Sequence, residues 1–96
     1  MERINLKMGQ VVFDHANYDE EFDILYLRVG GPEPSEAEDT PEGHSIHYAM
    51  HSDRIVGLTI MGPRYILEHE DKLVVTFPEV VETRSAEDMA DAFAAA

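Results

Sequence analysis

The clearest pattern in the chain is an alternation of apolar side chains with a period of two over residues 23–29. One face of this segment carries Leu25, Leu27 and Val29, and the other carries Ile24, Tyr26 and Arg28. A period of two is that of a β-strand. A polar turn at residues 17–22 separates it from an earlier strand, which begins around Gln10 and places Val11 and Phe13 on one face. The two segments predict an antiparallel hairpin.

The same alternation returns at residues 44–50 and 54–61, joined by a polar turn. The first segment carries Ile46, Tyr48 and Met50 on one face, and the second carries Val56, Leu58 and Ile60. These segments predict a second hairpin. We expect Val56, Leu58 and Ile60 to join Leu25 and Leu27 in one core, with Ile55 and Met61 on the opposite face.

Three further segments complete the predicted sheet. Residues 33–43 have no apolar period, so we expect an exposed loop. Residues 64–67 are interpreted as a continuation of the preceding strand beyond Gly62 and Pro63. Residues 73–77 predict another strand, which Pro78 ends because it cannot donate to a sheet ladder.

The C-terminal residues have a different period. Ser85 and Asp88 form a helix N-cap pattern, and Ala86, Met89, Ala90 and Phe93 then fall on one helical face. A helix at about residues 85–96 is too short to be stable alone, so Met89 and Phe93 must dock on the sheet or on a second subunit. The predicted fold is therefore mainly β within the α+β class: an antiparallel meander of about five strands with one short C-terminal helix.

Length and composition narrow the possible functions. The 96 residues predict a single domain over 1–96, and zero cysteines exclude disulfides and thiolate chemistry and fit a reducing cytoplasm. The formal net charge of −13 disfavours direct binding to nucleic acid or to an anionic membrane. The N-terminus is polar, and no apolar run approaches the length of a membrane helix. We expect a cytoplasmic protein whose acidity suits either solubility or a basic protein partner.

A recognisable pattern runs through residues 12–61. It consists of Tyr18, Asp19, Asp23, Leu25, Tyr26, Leu27 and, in a second and weaker element, Gly57. In this pattern the chain resembles a small prokaryotic family, family 2283 of the domains of unknown function. The family has Tyr-Asp-x-x-x-Asp-x-Leu-Tyr-Ile followed by Gly-x-x-x-Gly-Ile-Glu-Ile, whereas this chain has Thr59 at the glutamate and His47 and Ala49 where acids are usual. The resemblance implies an antiparallel sheet protein without established activity, and family members encoded beside toxin-like partners imply an antitoxin-like role.

The residues themselves predict structural roles for this signature. Asp19 suits a turn, where its carboxylate can accept backbone N–H groups, and Asp23 can do the same at the start of its strand. Leu25 and Leu27 fill the core, while the Tyr26 hydroxyl needs water or a partner on the other face. An acid and base pair formed by Asp19 and Asp23 is the less favoured interpretation, because a hairpin rim excludes water poorly.

Metal binding is an alternative function, of a different kind from a purely structural role, for the histidine and acidic residues. The spacing of His44, His47 and His51 would align three imidazoles on a helix, but on the predicted strand His44 and His47 point to opposite faces. Calcium or magnesium could be considered for the acidic residues Glu36, Glu38, Asp39 and Glu42, although the register of ligands in a calcium loop is missing. We therefore predict no zinc site, no cofactor and no catalytic residue.

The leading hypothesis is a non-enzymatic protein-interaction domain. A small metal-binding or hydrolytic protein using His44, His47 and His51 is the alternative. The sheet carries more apolar side chains than one face requires, notably Ile24, Tyr26, Ile55 and Met61. These surplus groups predict a homodimer, formed through the second sheet face or an exchanged tail.

Overall fold

Eight antiparallel strands and two short helices make up residues 2–95, the part of the chain that the computed structural model describes. The strands and helices, in chain order, are β1 (Glu2–Met8), β2 (Val11–Asp19), β3 (Ile24–Arg28), β4 (Ser35–Asp39), β5 (Ser45–Ala49), β6 (Ile55–Met61), α1 (Pro63–Glu70), β7 (Leu73–Thr76), β8 (Val81–Arg84) and α2 (Ala90–Phe93). The predicted mainly β class is confirmed.

The main sheet has six strands in the order β1-β2-β3-β6-β5-β4, and β7 pairs with β8 in a separate two-stranded sheet. The first three strands form one meander and the next three form another. The two meanders meet where β3 pairs with β6, with Leu27 opposite Leu58. This order leaves β1 and β4 as the two edges of the main sheet.

One face of the main sheet, which we call the core face, carries the apolar core. Ala16, Leu27, Leu58 and Ile46 follow one another across four strands on this face, and all four are buried. The cluster is closed by Leu67 from α1, Leu73 and Val75 from β7, and Met89, Ala92 and Ala95 from the C-terminal segment. Removal of this apolar surface from water is the main favourable term in folding. The opposite surface, which we call the open face, carries Asn17, Tyr26, Thr59 and Ser45 in register.

The C-terminal segment docks on the core through Met89 and Phe93, as predicted, but Ala86 and Ala90 of the predicted face are exposed and the helix is short. Met89 is fully buried, and the Phe93 ring packs edge to face against the Tyr18 ring, with 4.8 Å between the ring centroids. Ser85 and Asp88 exchange the predicted capping bonds, at 2.9 and 3.2 Å. These bonds close a turn, and the α-helix itself covers only Ala90–Phe93.

Four further elements differ from the sequence-based prediction. Glu2–Met8 is a strand, and residues 64–67 belong to helix α1 instead of a continued strand. Pro63 explains the helix, because its fixed φ suits the first helical position. Ser35–Asp39 is an edge strand, not a loop, and Val81–Arg84 pairs with β7. The sheet therefore has more strands than the predicted five or so.

A β-bulge reverses the predicted facing of two residues. The β5–β6 register shifts between His47 and Tyr48, so Tyr48 lies opposite Ile55 and the extra residue on β6 is Val56. Ile55 packs against the main core cluster, whereas Val56 is buried outside it. The predictions for Val56 and Ile55 were therefore wrong, while Leu25, Leu27, Leu58 and Ile60 do share one core.

No helix within residues 2–95 has both the length and the apolar character needed to cross a membrane.

Candidate functional site

The signature residues Tyr18 and Asp23 meet at a joint between the sheet and α1. The Tyr18 hydroxyl donates to Oδ1 of Asp23 at 2.7 Å. The backbone N–H groups of Arg64 and Tyr65 donate to Oδ1 and Oδ2 of Asp23 at 3.1 and 3.0 Å. Asp23 therefore caps a helix that begins 40 residues later in the chain, at Pro63. Asp19 accepts the Phe22 N–H at 3.1 Å, the turn bond expected from its position.

The pKa values of the two titratable groups in the joint shift in opposite directions, which keeps Asp23 ionised and Tyr18 protonated. Burial acts to raise the pKa of Asp23, but hydrogen bonds from the Tyr65 N–H and the Tyr18 hydroxyl outweigh it and leave the pKa below its ordinary value. Burial, together with the hydrogen bond to Asp23, raises the pKa of Tyr18 to about 12. The Arg64 guanidinium lies over the Tyr18 ring at 5.1 Å and over the Phe93 ring at 5.7 Å. These contacts make the joint a structural brace, with its polar atoms already occupied.

The structure separates the three histidines considered for a metal. His44 is buried, and its Nδ1 accepts the Met61 N–H at 3.2 Å. His47 lies on the open face with Nε2 at 2.8 Å from Oγ1 of Thr59, and His51 sits in the exposed turn before β6. Among residues 2–95, no group of three or more histidine, aspartate or glutamate side chains is placed to hold a metal ion.

The acidic residues considered for calcium are also dispersed. Glu36, Glu38 and Asp39 lie along the edge strand β4. Glu42 instead accepts both the backbone N–H and the hydroxyl of Thr76, at 2.9 and 2.6 Å, and so ties the β4–β5 turn to β7. Its carboxylate is therefore occupied in a structural bond.

A groove of about 1010 Å³ lies at one end of the core face, lined by strands and turns. Its apolar lining comes from Val11, Val12, Val29, Tyr48, Ile55, Phe77 and Val80. Val12 and Val80 are 49% and 40% exposed, so the groove leaves apolar area in contact with water. The sequence did not predict this groove, because Ile55 and Tyr48 face each other only after the bulge.

The rim of the groove is acidic. It includes Glu36, Glu38, Asp53 and Glu79, and among residues 2–95 its one basic lining residue is Arg54. The Arg54 guanidinium is engaged by Glu33 at 2.8 and 3.3 Å, and this bond raises the pKa of Arg54. Burial, followed by the charges of Glu38 and Asp53, raises the pKa of the Tyr48 phenol. The groove thus combines an apolar floor with a negative field, and none of its lining residues within 2–95 supplies a free cation to neutralise that field.

A smaller hollow of about 300 Å³ lies on the open face and includes the signature residue Gly57. A Cβ at Gly57 would lie 3.1 Å from the Leu27 carbonyl oxygen and 3.4 Å from the His47 ring. Glycine therefore permits close approach of β6 to β3 at this point. Tyr26, a further signature residue, also lines the hollow.

Comparison with known proteins gave no match among family models, curated proteins or solved structures. The resemblance to family 2283 stays a prediction from the residues that carry it. Function is therefore inferred from the geometry and the charge of the groove.

Proposed function

We propose that this protein is a non-enzymatic interaction domain whose groove binds a basic protein segment. The observation that carries the proposal is the combination of an apolar floor with the acidic rim formed by Glu36, Glu38, Asp53 and Glu79. Exposed apolar surface surrounded by charge is typical of protein-binding sites. Since Arg54 is already engaged by Glu33, the cations that complement this rim come from the partner.

The charge of the whole chain supports the same kind of partner. A net charge of −13 attracts a basic protein over a distance and raises its association rate. It also repels acidic competitors and nucleic acids. A cytoplasmic location belongs to the proposal, because a chain with zero cysteines suits a reducing compartment.

An antitoxin-like role is the specific form of this function that the resemblance to family 2283 implies. An antitoxin of this kind would neutralise a basic toxin by covering the surface that the toxin needs for its own target. The groove offers the chemistry for such a contact, since it presents apolar area and negative charge together.

We also propose that the protein is a homodimer. On the open face, Ile24 of β3 lies opposite Met61 of β6, and Met61 is 46% exposed. Phe22, in the adjoining turn, is 69% exposed. Phe22, Ile24 and Met61, which we call the Met61 patch, offer apolar area on the face away from the groove. Dimerisation through this patch leaves the groove free for a partner.

Affinity capture from the native host tests the main proposal. The wild-type protein is compared with the double variant Asp53→Lys and Glu79→Lys, which reverses two rim charges. The matched control is Glu68→Lys with Glu87→Lys, which makes the same charge change at exposed positions outside the groove. We expect a protein of basic isoelectric point to be captured by the wild type and the control but not by the rim variant. Equal capture by all three baits contradicts the proposal.

A further inference from the structure

The strand β4 is a bare edge of the main sheet. It is the last strand in the order, and all five of its residues are exposed. The opposite edge is partly covered, because Nη2 of Arg84 donates to the Lys7 carbonyl of β1 at 2.7 Å. An exposed edge presents unpaired N–H and C=O groups that can accept another strand. Proteins protect such an edge with charged side chains, and β4 carries three carboxylates.

The hydrogen-bond pattern identifies the backbone groups that point away from the sheet. At one end of the β4–β5 pair, the Thr40 N–H donates to the His44 carbonyl at 2.7 Å, and at the other the Met50 N–H donates to the Pro34 carbonyl at 3.4 Å. Residues of an antiparallel pair alternate between bonded and non-bonded positions. In the register of this pair, the even-numbered residues of β4 therefore bond to β5. Ser35, Ala37 and Asp39 direct their N–H and C=O groups outward.

The side chains of β4 place negative charge beside the groove. Glu38 lies opposite Ile46, and Glu36 lies opposite Tyr48, so both glutamates share the side of the sheet that carries the groove. β4 itself contains no basic residue. Pairing of β4 with β4 from a second copy would set carboxylates against carboxylates, which destabilises a strand pair. A strand with cations at alternate positions would instead place them against Glu36 and Glu38.

We propose that the basic partner adds an extended segment to β4, with lysine or arginine at every second position facing Glu36 and Glu38. This inference rests on the proposed function and specifies how the partner is recognised. Main-chain bonds to Ser35, Ala37 and Asp39 supply affinity, and the alternating cations supply specificity. In an antiparallel addition, Glu36 and Glu38 occupy the non-bonded positions, where opposing Cα atoms approach to about 4.5 Å and charged pairs lie close.

A defined peptide tests strand addition directly. The probe is an extended peptide of about six residues, the length of a short strand, in which lysine and valine alternate. The Ala37→Pro variant removes the outward N–H of the central residue and leaves the bonds of Glu36 and Glu38 to β5 in place. Ala37→Ser is the matched control because it keeps that N–H. We expect Ala37→Pro to weaken peptide binding about tenfold or more and Ala37→Ser to leave it within about twofold.

A second measurement does not depend on the folding of the proline variant. Amide hydrogen exchange of the wild-type protein should slow at Ala37 and Asp39 when the lysine and valine peptide is added, because both N–H groups become bonded. A peptide of the same composition with its lysines adjacent should produce no such protection.

The outcomes separate strand addition from the wider function. If Ala37→Pro binds as well as Ala37→Ser while Glu36→Lys with Glu38→Lys abolishes binding, strand addition is wrong and the acidic surface remains the binding site. No binding to the wild type, or no protection at Ala37, also overturns strand addition, and capture from the host then decides the wider function independently. Strand addition is supported if Ala37→Pro loses peptide binding and if the peptide slows amide hydrogen exchange at Ala37 in the wild type.

Discussion

The phenolic hydroxyl of Tyr18 donates a 2.7 Å hydrogen bond to the carboxylate of Asp23, and that carboxylate caps α1. The strand β2, the start of β3 and the first turn of the helix are therefore held by one acceptor group. Asp23 adopts a positive φ of 53°, and the Gly62 N–H donates to its carbonyl at 2.8 Å. This bonding gives the Tyr-Asp-x-x-x-Asp pattern a physical reason: the second aspartate serves a helix far away in sequence.

Removal of either partner should destabilise the fold. We expect Tyr18→Phe to cost about 1 kcal/mol, the net value of one hydrogen bond. Asp23→Ala should cost about 2 kcal/mol or more, because it also removes the helix cap. The double variant should cost less than the sum, since Phe at position 18 leaves no unpaired hydroxyl. Urea unfolding measures each value, with Asp19→Ala as the milder control; additive costs would contradict coupling through this bond.

Acidification should weaken the fold through His44. Burial lowers the pKa of its imidazole below 6.5, although the Glu42 carboxylate and the backbone of Val74 act in the opposite direction. Nδ1 already accepts the Met61 N–H, so the neutral ring carries its proton on Nε2, and a second proton on Nδ1 would break that hydrogen bond. The unfolded chain then binds that proton at a higher pH than the folded chain does. The stability that His44 contributes is complete above about pH 6.5 and is lost as the pH falls below that value.

The His44→Asn variant isolates this effect. Asparagine can still accept the Met61 N–H, but it cannot ionise. The urea concentration at the midpoint of unfolding should decrease in the wild type as the pH is lowered from about 7.5 to about 5.5. In the variant it should change much less over the same range. An identical slope in both proteins would contradict the assignment to His44. The half-buried carboxylate of Asp23, whose pKa lies below its ordinary 3.8, should lose its contribution only in stronger acid.

The sequence predicted the centre of the sheet well, and the reason is local. In β3 the alternation of Leu25 and Leu27 with Ile24 and Tyr26 is regular, and its register with β6 is unbroken. The hydrophobic pattern alone fixes which face is buried in such a segment. In β6 the bulge at Val56 shifts the pattern by one residue, and its one local signal is Gly57, since an isolated glycine in a strand often marks a bulge. A prediction from strict alternation therefore failed at Ile55 and Val56.

The edges of the sheet and the groove were not predictable in the same way. The strand β4 has no buried residue, so no apolar pattern distinguishes it from a loop. The strand β1 did carry a signal, the alternation of Ile4, Leu6 and Met8. The groove depends on distant segments, since Tyr48, Ile55 and Val80 meet only in the folded chain. The acidity of residues 33–43 was the one sequence feature that indicated its charge.

Truncation of the central core should be far more costly than substitution on the open face. Leu25 and Leu58 are fully buried in the same cluster. We expect Leu25→Ala or Leu58→Ala to lower the free energy of unfolding by about 2 to 5 kcal/mol. His47→Asp, which affects one partly exposed bond to Thr59, should cost much less. Equal costs for Leu58→Ala and His47→Asp in urea unfolding would contradict this view of the core.

The Tyr48 phenol should report the negative field of the groove. Besides burial, the charges of Glu38 and Asp53 keep its pKa above 10.0. Glu38→Gln or Asp53→Asn should therefore lower that pKa, because each removes one nearby charge. The shift of the Tyr48 ring signal with pH in NMR spectra measures the change. Glu68→Gln, outside the groove, is the control. If it lowers the pKa of Tyr48 equally, that pKa responds only to the net charge of the protein.

Dimerisation should depend on the Met61 patch, because a side chain that is 46% exposed beside Ile24 leaves apolar area in water. Burial of such area stabilises association by about 25 cal/mol per Å², and a specific interface needs at least about 1,000 Å². We expect sedimentation equilibrium at micromolar concentration to give the mass of a dimer. Met61→Lys should shift the protein to monomer, since it would bury an unpaired charge in the interface. Val80→Lys, which changes an exposed apolar residue of the groove, should leave the dimer intact. A wild-type protein that sediments as a monomer would overturn the proposed dimer. If Val80→Lys dissociates the dimer and Met61→Lys does not, the dimer interface lies at the groove, where a second copy would compete with the basic partner.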